Sequence, residues 1–321
     1  MRIDSTIKEK VCYLYDRWQI DKSDSYFKCI INPLREYTKL DLKMFSFDEF
    51  LNENNKIIIL QFIPLLIKDY YRFKTHVEKN ENNNSYFLTP MWDWVCEWDE
   101  NAWNMIPKNI KIISFCKKIS EITKKYGFKN ILDIKYFHKP YDIVNFTNNN
   151  RVLAYWNRSN LYSKEFLIKF CEYLNINKFL YLEKLDPDFS KQFDLPNKIK
   201  NTEVVTFRNW NTSQEYHNII KPSNIFLCPR LREGIGVAFL EQFSRGSVCF
   251  SFNETNMNEY IRHNQNGYLF KSLDINNISW SQINKLNLEN LSKNSIECCE
   301  EGFKNWENDL IRLNRFLKNE N

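Results

Sequence analysis

The stretch Cys228–Gly246, CPRLREGIGVAFLEQFSRG, decides how this chain is read. The 321-residue sequence has only 6 glycines, and Gly234, Gly236 and Gly246 all fall here. Glu233 and Glu241 flank the Gly-Ile-Gly. The segment before it, NIFLCP, reads as a buried strand, and GVAFLEQFS reads as a helix. The turn between them therefore lies at the carboxyl edge of a parallel sheet, where open α/β folds bind ligands. Gly234 and Gly236 permit positive φ and let a ligand approach the backbone. The amides of Gly236, Val237 and Ala238, with the helix dipole behind them, suit a diphosphate. Carboxylates accept hydrogen bonds from a pair of hydroxyls, so Glu233 on the turn and Glu241 one turn into the helix suit a sugar or ribose diol.

Working outward, the same alternation of short apolar runs and amphipathic stretches fills the chain. In the first half KVCYLYD (Lys10 to Asp16), KIIILQF (Lys56 to Phe62), SYFLTPMW, IKIISFC (Ile110 to Cys116) and NILDIKYF read as strands. SYFKCIINPLREY and KKISEITKKYG read as helices, the second closed by Gly127. In the second half RVLAYW, KFLYLE, TEVVTF, NIFLCP and SVCFSF read as strands, with SKEFLIKFCEYL, SQEYHNII and GVAFLEQFS as helices. Strand–helix alternation predicts βαβ units and parallel sheets, an α/β fold with two Rossmann-like domains. The Pro- and Asn-rich segment Lys139 to Asn150 is the linker between them, and a cleft beside it is the expected ligand site. Near the end, Ile296, Cys299, Phe303, Trp306, Leu310, Leu313 and Leu317 step by three and four. They make one apolar stripe on a long helix, expected to pack on the body of the chain rather than to form a dimeric coiled coil.

Composition excludes several classes. Hydrophobic residues at 43% and charged residues at 26% describe a globular chain, not a disordered one. The net charge of +5 is spread along the sequence, without the Lys/Arg block of a nucleic-acid binder; it is compatible with phosphorylated substrates or with peripheral contact at an anionic membrane surface. The 9 cysteines lack any C-x-x-C, and the 4 histidines are scattered, so the thiols read as reduced and no metal site is expected. The N-terminus carries no apolar leader and the longest apolar run, IIILQFIPLLI, is too short to span a bilayer, which predicts a cytoplasmic protein. The aromatic share of 16% serves cores and sugar sites equally well.

The segment REGIGVAFLEQFSRGSVCFSFNETNMNEYIRHNQNGYLF resembles the donor-site signature of the GT-B glycosyltransferases of family 4, the glycosyltransferases group 1. Glu233 and Glu241 match the family's paired glutamates, and Glu259 with NGYLF matches its later part. The resemblance implies that Glu233 lies near the donor sugar's hydroxyls and that Glu241 holds the ribose. It implies that Arg158 and Lys164, in AYWNRSNLYSKEF, neutralise the donor's diphosphate without a metal. It implies an acceptor-side domain over 1–140, a donor domain over 141–295, and a helix over 296–321 crossing back to the first. The partners implied are a UDP- or GDP-sugar and a glycan or polyprenyl-linked acceptor, and the reaction implied is retaining transfer of a hexose; the Lys-, Ile- and Asn-rich composition points to an AT-rich bacterium and hence to surface polysaccharide synthesis.

Where the family has Gly-Gly after the next strand, this chain has NETNMNE, and the family's glycine-rich loop after the first strand is replaced by DRWQIDKS. The region of the family's N-domain histidine holds TPMWDWVCEWDENAW instead. Trp92, Asp93 and Glu97 are candidates there for an acceptor sugar, against an equal reading as a tryptophan-rich structural corner. Two further readings compete: a metal-dependent GT-A transferase using Asp186 and Asp188 of LDPDFS, and a GT-B-like protein that binds a glycan or nucleotide without turnover. A nucleotide-sugar 2-epimerase shares the layout but needs an N-domain base, and none is evident.

Overall fold

The computed structural model describes residues 10–14, 41–45, 51, 57–60, 67–144, 146–147, 149–272 and 274–320. The chain divides into two compact units, Met1–Tyr136 with Lys304–Asn321, and Phe137–Phe303.

The first unit is built on a six-stranded, wholly parallel sheet. Its strands are β1 (Lys10–Leu14), β2 (Asp41–Phe45), β3 (Ile57–Leu60), β4 (Ser85–Leu88), β5 (Lys111–Ser114) and β6 (Ile131–Asp133), in the order β2-β1-β3-β4-β5-β6. Parallel strands covered on both faces carry continuous apolar runs rather than alternation, and Ile58, Ile59, Leu60, Tyr86, Phe87, Leu88, Ile112 and Ile113 are all buried. Helices α1 (Ile67–Asn80), α2 (Trp92–Val95), α3 (Glu100–Met105) and α4 (Lys117–Lys125) belong to this unit. The α4 helix ends as its sequence predicts. Gly127 adopts φ 87°, its amide donates to the Lys124 carbonyl and the Phe128 amide donates to that of Thr123, which satisfies two carbonyls of the last turn.

Three features of this unit escape the sequence reading. Strand β2, DLKMF, mixes charged and apolar residues too evenly to stand out. The α1 helix buries Tyr70, Phe73 and Val77, a spacing of three and four that is legible once sought. Asp99 is the N-cap of α3, its Oδ1 accepting from the Ala102 amide at 2.9 Å. The predicted helix SYFKCIINPLREY and the DRWQIDKS loop lie outside the described residues.

The second unit carries a seven-stranded sheet in the order β13-β12-β11-β7-β8-β10-β9. The strands are β7 (Val152–Asn157), β8 (Lys178–Glu183), β9 (Lys198–Ile199), β10 (Thr202–Phe207), β11 (Ile225–Leu227), β12 (Val248–Phe252) and β13 (Tyr268–Phe270). All pairs are parallel except β9 with β10, a short antiparallel edge that the sequence reading misses. Helices α5 (Lys164–Tyr173), α6 (Ser213–Ile220), α7 (Val237–Ser244), α8 (Met257–Tyr260) and α9 (Trp280–Ile283) follow or link the strands. The aromatic residues of this unit are core. Phe170 meets Phe250 edge-on with ring centroids 4.9 Å apart, and Tyr162 stacks on Phe252 at 5.5 Å.

The chain closes with α10 (Leu288–Leu317), 30 residues and on the order of 45 Å long. It starts well before Ile296, and Leu291, Cys299, Trp306, Leu310, Leu313 and Leu317 are buried, so the stripe is covered within the chain. Within the first unit Trp306 packs edge-on against Tyr136 at 5.2 Å, and Asp309 accepts from the Lys135 amide at 3.0 Å. Among the described residues Cys171, Cys228, Cys249 and Cys299 form no disulfide, and no helix is long and apolar enough to cross a membrane.

Candidate functional site

The strand order of the second unit sets the place for chemistry. From β7 the chain moves to β8 and outward to β10, then returns to lay β11 against the other side of β7. Loops leaving the carboxyl ends of β7 and β11 therefore diverge, which opens a crevice at that edge. The registers Asn157↔Glu183 and Tyr155↔Leu227 bring the ends of β7, β8 and β11 to one edge of the sheet. Every residue placed on these loops below belongs to this unit.

After β11 comes the turn of the opening stretch. Cys228 is fully buried, and burial pushes its thiol far up from its ordinary value, so it is an inert core group. Of the two turn glycines, Gly236 is the one in the left-handed region, at φ 79° and ψ 42°, and it is the N-cap of α7. A side chain there would be strained by the backbone alone. The first helical hydrogen bond runs from the Leu240 amide to the Gly236 carbonyl at 2.9 Å, so the amides of Val237, Ala238 and Phe239 precede it. Phe239, Leu240 and Phe243 are buried and lock the helix against the sheet, while Val237 and Ala238 stay half-buried at its start.

The two glutamates stand apart in environment. Glu233 is buried at 8% exposure, with Oε2 4.0 Å from Arg230 Nη1. Glu241 faces His217 of α6, whose Nε2 lies 3.3 Å from Glu241 Oε2. His217 is the residue beside Glu241 that sequence reading did not find, since 24 positions separate them.

After β7, Asn157 is buried and stitches the loop: its Oδ1 accepts from the Asn160 amide at 2.9 Å and its Nδ2 donates to the Tyr181 hydroxyl at 2.9 Å. Arg158 follows. Its guanidinium lies 4.7 Å over the Trp156 ring and donates through Nε and Nη2 to Asp186 Oδ1, at 3.2 and 3.0 Å. Arg230, on the loop after β11, donates through Nε and Nη2 to the other oxygen, Oδ2, at 3.0 and 2.6 Å. Ser159 Oγ donates to the Pro229 carbonyl at 3.2 Å and ties the two loops. Lys164 opens α5 behind the cap of Ser163, whose Oγ accepts from the Phe166 amide, and forms no ion pair with a described residue.

After β12, Asn256 stands in the segment that replaces the expected Gly-Gly. It has φ 84° and ψ −59°, a strained pair otherwise seen in tight three-residue turns, and asparagine is among the few residues besides glycine that tolerate positive φ. Its side chain is fully buried, and Nδ2 donates to the carbonyls of Glu233 at 3.3 Å and Gly234 at 2.5 Å. One residue thus supplies the backbone shape of a glycine and fastens the neighbouring turn. Its signal in the sequence was the second of the three asparagines in NETNMNE.

The remaining candidates divide. Asp186 sits between two guanidiniums and its carbonyl closes a turn with the Phe189 amide at 3.0 Å, while Asp188 is exposed. Among the described residues no group of three or more His, Cys, Asp or Glu is placed to share a metal ion. In the first unit, Trp92 and Trp103 are core residues. Trp103 stacks on Tyr126 with rings 8° from parallel and meets Trp98 at 5.1 Å. Of the acceptor candidates, Trp92 is buried, Asp93 half-buried and Glu97 exposed.

Residues 187–298 match the family model described as Glycosyl transferases group 1. No curated protein sequence matches the chain. Among solved structures, HepE of Anabaena in complex with UDP and glucose superposes with a TM-score of 0.64 at 10% identity, over 97% of this chain and 100% of that one. The lipopolysaccharide outer core galactosyltransferase WaaB, in its apo form, gives 0.63 at 13% identity, over 95% and 99%. Sucrose-phosphate synthase from Thermosynechococcus elongatus gives 0.68 at 12% identity, over 97% and 99%. That shared fold is GT-B, so the GT-A reading of Asp186 and Asp188 is set aside. The chain has the GT-B fold, and its residues 187–298 match the model of the glycosyl transferases group 1.

Proposed function

We propose that the chain is a retaining glycosyltransferase that moves a hexose from a UDP- or GDP-sugar to a glycan or polyprenyl-linked acceptor, in the cytoplasmic assembly of a bacterial surface polysaccharide. The observation that carries the donor half is the turn at Gly236: helix amides at the carboxyl edge of the sheet, with a carboxylate on either side and Arg158 on the adjoining loop. The diphosphate docks on the amides of Gly236, Val237 and Ala238, Glu233 takes hydroxyls of the sugar, and Glu241 takes the ribose diol. In transfer, the bond from the sugar's anomeric carbon to the phosphate oxygen breaks, a bond to the acceptor's hydroxyl oxygen forms, and nucleoside diphosphate departs with the proton that the hydroxyl gives up. Its growing charge falls on Arg158, Lys164 and the helix amides, which are fixed before the reaction and need no reorganisation. Retention and the acceptor class rest on the family likeness, and the surface-polysaccharide setting on the Lys-, Ile- and Asn-rich composition.

A panel of UDP- and GDP-hexoses, with and without lipid-linked glycan acceptors, tests this through released nucleoside diphosphate. One donor is expected to turn over, and Glu233→Ala and Arg158→Ala are each expected to lower the rate by orders of magnitude with unchanged circular dichroism. Near-wild-type rates in both variants would refute the site.

A further inference from the structure

We infer that Arg230 is a second guanidinium for the donor's diphosphate, and that Asp186 is the positioning residue that spaces and orients Arg158 and Arg230 for it. This rests on the reading of the Gly236 turn as a sugar-nucleotide site and adds residues that neither the family likeness nor the motif assigns.

The geometry is a bridge. Asp186 presents one oxygen to each arginine, and in both cases it engages the Nε–Nη2 edge of the guanidinium. The three residues come from three different loops, after β7, β8 and β11, all at the carboxyl edge beside the crevice. Side-chain exposures of 22%, 20% and 25% for Arg158, Asp186 and Arg230 leave the cluster reachable by a ligand, yet shielded enough for its charges to act.

Charge decides what the cluster is for. Arg158 with Asp186 alone would be neutral and would offer a diphosphate little attraction. Arg230 adds a second positive charge, which Glu233, with Oε2 4.0 Å from Arg230 Nη1, offsets in part, and Lys164 at the start of α5 carries another. Arg230 is also three residues before Glu233, so it stands beside the turn whose amides meet the phosphate. Asp186 is held from its own backbone as well, its amide donating to the Arg158 carbonyl at 2.9 Å. Two guanidiniums that would otherwise repel are thereby kept at a fixed separation. A ligand then meets them in place, and less side-chain entropy is lost on binding.

Calorimetric titration of the full chain with UDP, GDP and ADP, and with the matching nucleosides, tests the inference. For the nucleoside diphosphate that binds best, R230M is expected to weaken binding by about tenfold or more, the range of a hydrogen bond to a charged group, and to leave nucleoside binding unchanged. D186N is expected to weaken the diphosphate severalfold in the otherwise native chain and to have little further effect on R230M, because the bridge matters only when both arginines are present. Should R230M fail to fold, R230K keeps the charge without the fork and is expected to lose affinity severalfold. Diphosphate affinity within twofold of wild type in R230M, while R158M loses it, would overturn the role of Arg230. Tighter binding in D186N would overturn the bridge and make Asp186 a competitor of phosphate. If the wild-type protein binds no nucleoside diphosphate, the donor-site reading itself fails, and this inference with it.

Discussion

Replacing Asn256 separates backbone shape from side-chain contact at the turn that holds Glu233. Asn256→Gly keeps the positive φ of 84° but removes the amide that bonds the Glu233 and Gly234 carbonyls. The bond to Gly234 is short and the other long, so mainly one buried acceptor is left unsatisfied, at about 1–3 kcal/mol. The added freedom of glycine in the unfolded chain contributes roughly 0.5–1 kcal/mol more. Asn256→Ala loses the same bonds and keeps a β-carbon in that backbone conformation, a strain of about 1–3 kcal/mol that glycine relieves. Alanine is therefore expected to be as destabilising as glycine or more so, against the usual order. Urea unfolding of both variants, with nucleoside diphosphate titration alongside, reads stability and the aim of the turn together. Both variants should bind more weakly than wild type, since the carbonyls that fix the turn are released. An alanine variant more stable than the glycine one would show that positive φ is not imposed there. Wild-type stability and binding in Asn256→Gly would refute the role of the amide.

Three further outcomes follow from the same coordinates. Gly246→Ala is expected to destabilise by about 2–5 kcal/mol in urea unfolding, because φ is 85° and a β-carbon would stand 2.8 Å from Ile296 Cδ1; a loss under about 1 kcal/mol would show that α10 yields. Glu241→Gln is expected to weaken UDP or GDP by about tenfold and to leave the 2′,3′-dideoxy analogue unchanged, and an equal loss for both would remove Glu241 from the ribose. Truncation after Glu300 removes the buried Trp306, Leu310, Leu313 and Leu317, each worth roughly 1.5–3 kcal/mol, so the shortened chain is expected to melt far lower or to aggregate; an unchanged melting temperature would refute the packing of that stripe.

How much of this was legible in the sequence depends on the range of the interactions involved. Strands such as β3 and β7 are covered on both faces, so their apolar runs declare them without alignment or context. The Gly236 turn was legible because a left-handed N-cap needs glycine, whatever the rest of the chain does. Gly127 was legible for the same local reason at the end of α4. The Asp186 bridge was not, because its partners are 28 and 44 residues away and meet only through the strand order. In isolation, LDPDFS offers a metal motif and a proline turn, and no local rule says that two arginines will claim its first aspartate. The tryptophans near residue 100 left two readings open for a related reason. An indole serves a core and a sugar platform equally well, and only burial tells Trp92 and Trp103 from a binding surface.

The central claim is that one turn, with Arg158 beside it, holds both halves of a sugar nucleotide. A crystal structure of the protein with the sugar nucleotide that binds best tests it most directly. The account predicts the diphosphate on the amides of Gly236, Val237 and Ala238, within hydrogen-bond distance of Arg158, the ribose hydroxyls on Glu241 and the sugar hydroxyls near Glu233. A nucleotide ordered elsewhere on the chain, or with its phosphates turned away from the start of α7, would contradict it.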